Sequence, residues 1–308
     1  MKKFLIKIVS IALPFLAIAL IMEVLLRAIP NDYVLKKEFL NKGSNNIETL
    51  ILGSSHSYYG LNPTFFSSNT FNAGYISQTL DYDYEILKKY QSKFKKLKTI
   101  ILPISYFSFY EKLEATEEFW RIKNYIIYFD MDTAKSFINH TEILSLPVKT
   151  NLKRLIDYYI LDKPSITSTK LGWGSNFTSE NAKDLIKSGE PRARVNTYIN
   201  KPNYKLVFNA NTITINEIVA WCNNRNIRLL LLTTPAFETY CQNLDKEQLN
   251  VTIKKAETLD LKNKNCNYLN LLKDDRFDAK DFYDADHLSD IGAEKLSKLI
   301  NEKVNNWQ

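Results

Sequence analysis

Residues Phe4 to Leu26 form an almost unbroken apolar run, and this segment constrains the chain more than any other. As a helix rising about 1.5 Å per residue it is long enough to cross a hydrocarbon layer of about 30 Å. Inside such a layer a helix satisfies its own backbone hydrogen bonds, so Pro14 would at most kink it. Lys7 and Glu23 lie near its ends. Lysines before the run favour a cytoplasmic N-terminus, which puts everything after Arg27 outside the cytoplasm. A cleaved signal peptide needs small residues just past the apolar run, yet Ala17 to Ala19 lies inside it, so an uncleaved anchor is the expectation. Residues 1–28 are thus assigned to the cytoplasmic start and anchor, 29–47 to a stalk containing the polar stretch Lys42 to Asn46, and 48–308 to a globular domain.

The formal charge of +7 overstates how basic that domain is. Lys2, Lys3, Lys7 and Arg27 against Glu23 place +3 around the anchor, leaving +4 on the rest. Such a mild excess does not call for a nucleic-acid partner, and Lys93, Lys95, Lys96 and Lys98 read as a solvated surface. Cys222, Cys241 and Cys266 form no C-x-x-C pair and have no nearby histidine, which argues against a structural metal. Cys222 falls on the apolar face of Ile215, Ile218 and Val219 and is expected to be a buried thiol, while a Cys241–Cys266 disulfide stays open.

Thr49 to Leu52, Thr70 to Ala73, the apolar run Thr99 to Ile104, Ile227 to Thr233 and Tyr268 to Leu271 have strand character. Helical periodicity over Tyr82 to Tyr90, Ile213 to Asn224 and Asp245 to Leu259 separates them, and such alternation implies a parallel α/β sheet. A closing helix follows Ser289 or Asp290 as N-cap and puts Ile291, Leu296, Leu299, Ile300 and Val304 at core spacing. Between about 106 and 204 the alternation lapses and aromatics accumulate, among them Phe107, Phe109, Tyr110, Trp120, Tyr125, Tyr128 and Trp173. This stretch is an insertion leaving a strand end, placed to wall a site or to make a satellite core.

Two motifs carry chemistry. Gly53-Ser54-Ser55-His56-Ser57 follows the first strand, where a serine can expose its hydroxyl beyond the sheet while backbone N–H groups face a developing oxyanion. Tyr283-Asp284-Ala285-Asp286-His287-Leu288 precedes the last helix. A serine needs a base to take its proton, and an imidazole serves when a carboxylate fixes its tautomer. Asp284 can reach the Nδ1 side of His287 from the same turn, with Asp286 in reserve. His140 has no chemical company, and His56, next to Ser55, is a candidate to shape the pocket.

These blocks resemble the SGNH/GDSL hydrolase superfamily, with Gly53-Ser54-Ser55 standing where that family has Gly-Asp-Ser and Asp284 to His287 matching its Asp-x-x-His. The resemblance implies a flavodoxin-like αβα sandwich with a parallel sheet, Ser55 as nucleophile, His287 as base and Asp284 as its orienting carboxylate, with no cofactor. Asn72-Ala73-Gly74-Tyr75-Ile76-Ser77 is similar to the family's second block, so Gly74 or Ser77 would supply an oxyanion N–H. Pro103-Ile104-Ser105-Tyr106 stands where the family has Gly-x-Asn-Asp, leaving Ser105 as a hydroxyl donor there. The anchor together with Gly-Ser-Ser and Asp-x-x-His is similar to the superfamily's cell-envelope branch, which includes lipoteichoic acid D-alanyl transfer and alginate O-acetylation proteins. That likeness implies an esterase or O-acyltransferase acting outside the membrane on acylated envelope glycans or polymers.

Two other readings follow from the residues. Phe129-Asp130-Met131-Asp132-Thr133 resembles the Asp-x-Asp-x-Thr of haloacid-dehalogenase-type phosphatases with its threonine one residue early, and would require Mg²⁺. A catalytically degenerate scaffold that binds a glycan or an assembly partner is the alternative, because fold does not secure function.

Overall fold

The computed structural model describes residues 1–131 and 136–307; Asp132 and Thr133 of the phosphatase-like motif lie outside them. Along the chain, helices α1 Lys2–Ala28 and α2 Asp32–Gly43 precede strand β1 Thr49–Ile51. Helix α3 Ser55–Gly60, β2 Thr70–Asn72, α4 Leu80–Tyr90 and β3 Thr99–Pro103 follow. After β3 come α5 Ile122–Ile127, α6 Glu142–Ser145, α7 Val148–Tyr159, α8 Leu185–Val195 and α9 Tyr204–Asn223. The alternation resumes with β4 Arg228–Thr233, α10 Glu238–Gln242, α11 Lys246–Lys262 and β5 Cys266–Asn270, and closes with β6 Phe282–Asp284, β7 His287–Leu288 and α12 Asp290–Asn305.

The chain divides into two compact units. The larger, 38–116 with 168–308, holds a five-stranded sheet in the order β2-β1-β3-β4-β5, every neighbouring pair parallel. This is the flavodoxin-like order, whose switch point falls between β1 and β3. The first three strands are buried along their whole length, and β3 accordingly appears in the sequence as an apolar run rather than as alternation. On one face Ile51, Ile101, Leu230 and Leu232 pack on Leu296, Ile300 and Val304 of α12. Helix α9 lies against β4 and α4, and α11 lies against β5.

Helix α12 starts as expected: the Ser289 side chain accepts the Gly292 N–H at 3.3 Å. Its inward face differs by one residue. Ile291 is exposed, and Gly292 turns inward in its place, because the helix passes so close to the backbone of Asp281 that a Cβ on Gly292 would sit 2.0 Å from the Asp281 carbonyl oxygen. Cys222 is a buried thiol as expected, but the Cys241–Cys266 disulfide is not formed; both are buried free thiols, Cys241 on α10 and Cys266 on β5. Phe107, Phe109 and Tyr110 of the insertion are core residues of the larger unit.

The smaller unit comprises 1–37 and 117–167. Its α1 is apolar and long enough to span a membrane, with a mean hydropathy of 2.6 over its best window and none of that window buried. The rest of the unit is organised by charge. Glu142, fully buried, accepts hydrogen bonds at 2.5 Å from each of Lys123, Arg154 and the Tyr128 hydroxyl. The Glu23 carboxylate accepts the N–H groups of Glu142 at 2.9 Å and Ile143 at 3.0 Å, satisfying donors that the first turn of a helix leaves without partners. Burial pulls Lys123 down to about 8, against the opposing pull of Glu142.

Candidate active site

The candidate site lies at the carboxyl end of β1, beside the topological switch point. The chain leaves β1 through Gly53, whose φ of 102° is open to glycine but strained for other residues. Ser55 then opens α3. The Gly53 N–H donates to the Asp83 carboxylate at 2.7 Å, and the Gln78 amide donates to the same oxygen at 2.6 Å, so α4 holds the turn in place. Burial pushes the Asp83 carboxyl up to about 7 despite these two donors. From the other side, Asn72 at the end of β2 donates to the carbonyls of Ser57 and Leu61, each at 2.8 Å, and ties off α3.

Strands β6 and β7 form a small antiparallel pair in which Asp284 stands opposite His287. Facing residues in such a pair have Cβ atoms about 5 Å apart, within side-chain reach. Asp284 Oδ1 accepts from His287 Nδ1 at 2.9 Å, from the His287 backbone N–H at 2.9 Å and from the Asp286 N–H at 3.1 Å. His287 Nε2 lies 2.8 Å from Ser55 Oγ. With Nδ1 protonated towards Asp284, Nε2 is left to accept the serine proton. Asp284 and His287 are buried, whereas Ser55 is only half-buried, so the serine is the member open to a substrate.

A second carboxylate bears on the same ring. Asp286 Oδ1 is 3.3 Å from His287 Nδ1, and Arg192 clamps Asp286 through both oxygens at 2.6 and 2.9 Å. Asn196 donates to it at 3.1 Å, and His56 Nε2 lies 3.5 Å away. Burial alone would lower the His287 pKa, but the carboxylates of Asp286 and then Asp284 outweigh it and raise the imidazole to about 9. Burial would likewise raise Asp286, yet the charges of His287 and Arg192 hold it well below the usual carboxylate range. Helix α8 therefore delivers Arg192 to the site, and its Ser188 hydroxyl accepts the Ala285 N–H at 3.1 Å, pinning the loop between the two carboxylates.

The residues expected to line an oxyanion site are arranged unevenly. The Gly74 N–H is engaged by Asn72 Oδ1 at 3.0 Å. Ser77 is half-buried with φ of 57°, in the left-handed region. Ser105 Oγ is 2.7 Å from His56 Nδ1. Burial lowers the His56 pKa, so near neutral pH it is uncharged; with its proton on Nε2 towards Asp286, its Nδ1 accepts the Ser105 hydroxyl proton and turns that donor away from an oxyanion. The N–H groups of Ser55 and His56, in the first turn of α3, have no acceptor within the helix.

His56, Asp286 and His287 bring ligand-type atoms within 4.8 Å of one another. Their donors are spoken for: Asp286 is covered by a guanidinium, and the two ring nitrogens of His287 face Ser55 and Asp284. A metal cation there would stand against Arg192. Beside His287, Phe177 stacks between Tyr59 at 3.6 Å and Tyr283 at 3.7 Å; with both its faces covered, it meets the imidazole edge-on at a centroid distance of 5.5 Å. A separate pocket of about 340 Å³ opens past β4 and β5, lined by Phe237, Lys273, Phe277 and Phe282, and none of the triad lines it. Sequence reasoning missed Arg192, Asn196 and Asp83; only Asp83 left a trace, as a carboxylate on the apolar side of an amphipathic helix.

No family model matches the chain, and no curated protein matches it. Among solved structures it is similar to a chain from Streptococcus pneumonia provisionally named a platelet activating factor, with a TM-score of 0.44 at 12% identity over 96% of this chain and 99% of that one. It is also similar to a chain from Bacteroides fragilis provisionally named an acylhydrolase, with a TM-score of 0.40 at 11% identity over 84% and 86%.

Proposed function

We propose that the protein is a membrane-anchored serine esterase or O-acyltransferase in which Ser55, His287 and Asp284 form the catalytic triad. The observation that carries this reading is the unbroken path from Ser55 Oγ to His287 Nε2 at 2.8 Å and from Nδ1 to Asp284 at 2.9 Å, with the serine as its solvent-facing end. Ser55 Oγ attacks the carbonyl carbon of an acyl ester while its proton passes to His287 Nε2. Collapse of the tetrahedral adduct breaks the ester C–O bond, and His287 returns the proton to the departing alcohol. Water or a sugar hydroxyl then attacks the acyl-enzyme, giving its proton to His287, and the ester to Ser55 breaks as that proton returns to Oγ. Backbone N–H groups of Ser55 and His56 stabilise the oxyanion in both halves.

Helix α1, preceded by lysines, supports a single pass with a cytoplasmic N-terminus and the catalytic unit outside. The sequence resemblance to the envelope branch supports acylated glycans or envelope polymers as substrates. In this reading 29–47 is the stalk and 48–308 the hydrolase-like domain with its insertion.

Labelling of the full chain in detergent with a fluorophosphonate probe tests the triad. Wild type is expected to label, and Ser55→Ala and His287→Ala to lose labelling. A well-folded wild type that does not label would sink the enzyme reading in favour of a glycan-binding scaffold, for which the internally engaged Gly74 N–H and Ser105 hydroxyl are the motivating features.

A further inference from the structure

In the smaller unit, α7 is turned inside out for a helix in water. A water-facing helix buries its apolar stripe and shows its polar face to solvent. Here Asn151 is buried and donates to the carbonyls of Glu142, Ile143 and Leu146 at 3.2, 3.4 and 3.3 Å, and Arg154 reaches inward to the Glu142 carboxylate at 2.5 Å. Val148, Leu152, Ile156 and Ile160, spaced four apart, face outward, with Val148 64% and Ile160 73% exposed. This outward stripe runs about 18 Å at 1.5 Å per residue. Phe137 and Leu144 of the same unit are exposed as well.

What covers the stripe is indicated by where it is fastened. The Tyr159 hydroxyl donates to the Leu25 carbonyl at 2.9 Å, Arg27 Nη2 donates to the His140 carbonyl at 2.7 Å, and Glu23 caps the first turn of α6. All three attachments are to the last two turns of α1. At 27 residues α1 is about 40 Å long, more than a hydrocarbon core of about 30 Å needs, so those turns emerge at the headgroup boundary. Lys149 is exposed on α7, whereas the exposed Lys153 is paired with Asp157 one turn on.

We infer that α7 is an interfacial helix whose Val148, Leu152, Ile156 and Ile160 stripe lies in the headgroup–acyl boundary of the bilayer that α1 crosses, so that the small unit rests on the membrane as well as being tethered to it. This rests on the reading of α1 as membrane-spanning. The occupant is lipid rather than a second protein, because the stripe continues from the end of the spanning segment.

The full chain, carrying single added cysteines at Val148, Leu152 or Ile156 labelled with a polarity-sensitive fluorophore, is reconstituted into phosphatidylcholine–phosphatidylglycerol vesicles; the native thiols are buried. Leu13→Cys on α1 reports the anchor in parallel. Blue-shifted emission at the α7 sites, quenched several-fold more by nitroxide near the lipid headgroup than by nitroxide at the acyl terminus, is the expected result, with the opposite preference at position 13. If position 13 is quenched and all three α7 sites are not, the inference falls and the anchor stands. If position 13 escapes quenching while α7 does not, the anchor reading falls and the inference that rests on it falls with it, leaving only a lipid contact of α7. Blue-shifted α7 emission without lipid quenching would mean a protein occupant and would overturn the proposal. Matched thermal unfolding among the three variants guards against misfolding, since each replaces an exposed side chain.

Discussion

Glu142 in the smaller unit and Asp286 in the larger are both carboxylates with fully buried side chains, and each is answered by an arginine, yet they finish in different places. A buried charge must find partners or neutralise. Glu142 spends its oxygens on Lys123, Arg154 and Tyr128, none of which leads to a reactive group. Asp286 accepts from Arg192 and Asn196 and also bears on His287, whose far nitrogen meets a half-exposed serine hydroxyl. The same electrostatic demand therefore ties one unit together and, in the proposed mechanism, bears on the proton acceptor of the other. What separates structure from chemistry is whether the network ends on a group that solvent can reach.

The largest expected effect separates the two networks outright. Ser55→Ala should lower turnover of an activated ester by about 10⁴-fold, the scale of losing a triad member, and leave the unfolding midpoint almost unmoved. Glu142→Ala should do the reverse: stranding Lys123 in a dry site costs about 3–5 kcal/mol of stability, while the folded fraction keeps its turnover. Urea unfolding and esterase assays on the same preparations measure both. A Glu142→Ala protein that unfolds like wild type would show that its network is not structural.

A smaller effect tests whether Asp286 acts through His287 or only packs. With the imidazole raised to about 9, little of it is the neutral base at pH 7, so turnover should climb as pH rises towards 9. Asp286→Asn removes the largest charge that raises it, and the climb should then begin at lower pH. Stability should follow the same proton: a His whose folded pKa lies above its unfolded value of about 6.5 contributes stability below that value and loses it as pH rises through about 9. An unchanged pH–rate onset in Asp286→Asn would reduce Asp286 to the standing of Glu142.

Much of the framework was legible in the sequence because its signals are local. Five short segments of strand character marked the parallel strands, and the three-residue spacing of Asp284 and His287 was enough to bring carboxylate and ring together across a hairpin pair. Ser289 capped α12 as its sequence implied, but the inward face slipped from Ile291 to Gly292, because close approach to Asp281 is a tertiary fact. Arg192 was invisible for a plainer reason. It meets Asp286 across 94 residues, from a stretch without strand or helix periodicity, and no local pattern encodes such a contact. The division of the 106–204 segment between two units was hidden likewise, since nothing in its composition says that 117–167 folds with the N-terminal helices while the remainder folds with the sheet.

A third buried carboxylate sharpens the contrast, because among the described residues Asp83 has no cation as a hydrogen-bond partner. It accepts the Gly53 N–H and the Gln78 amide, and burial lifts it to about 7. Its folded pKa lies above the unfolded value of about 3.9, so its contribution to stability is present below pH 4 and lost as pH rises through about 7. At pH 8 the folded protein therefore holds a buried charge beneath the turn that carries Ser55, with no cation bonded to it among the described residues. Asp83→Asn keeps an oxygen able to accept both donors and carries no charge, so it should stabilise the protein at pH 8 by a few kcal/mol, three pKa units being worth about 4 kcal/mol as an upper bound. The gain should shrink towards zero by pH 4. Thermal unfolding of both proteins across that range measures it, and a variant equally shifted at pH 4 and pH 8 would show that the Asp83 charge is already relieved in the native protein.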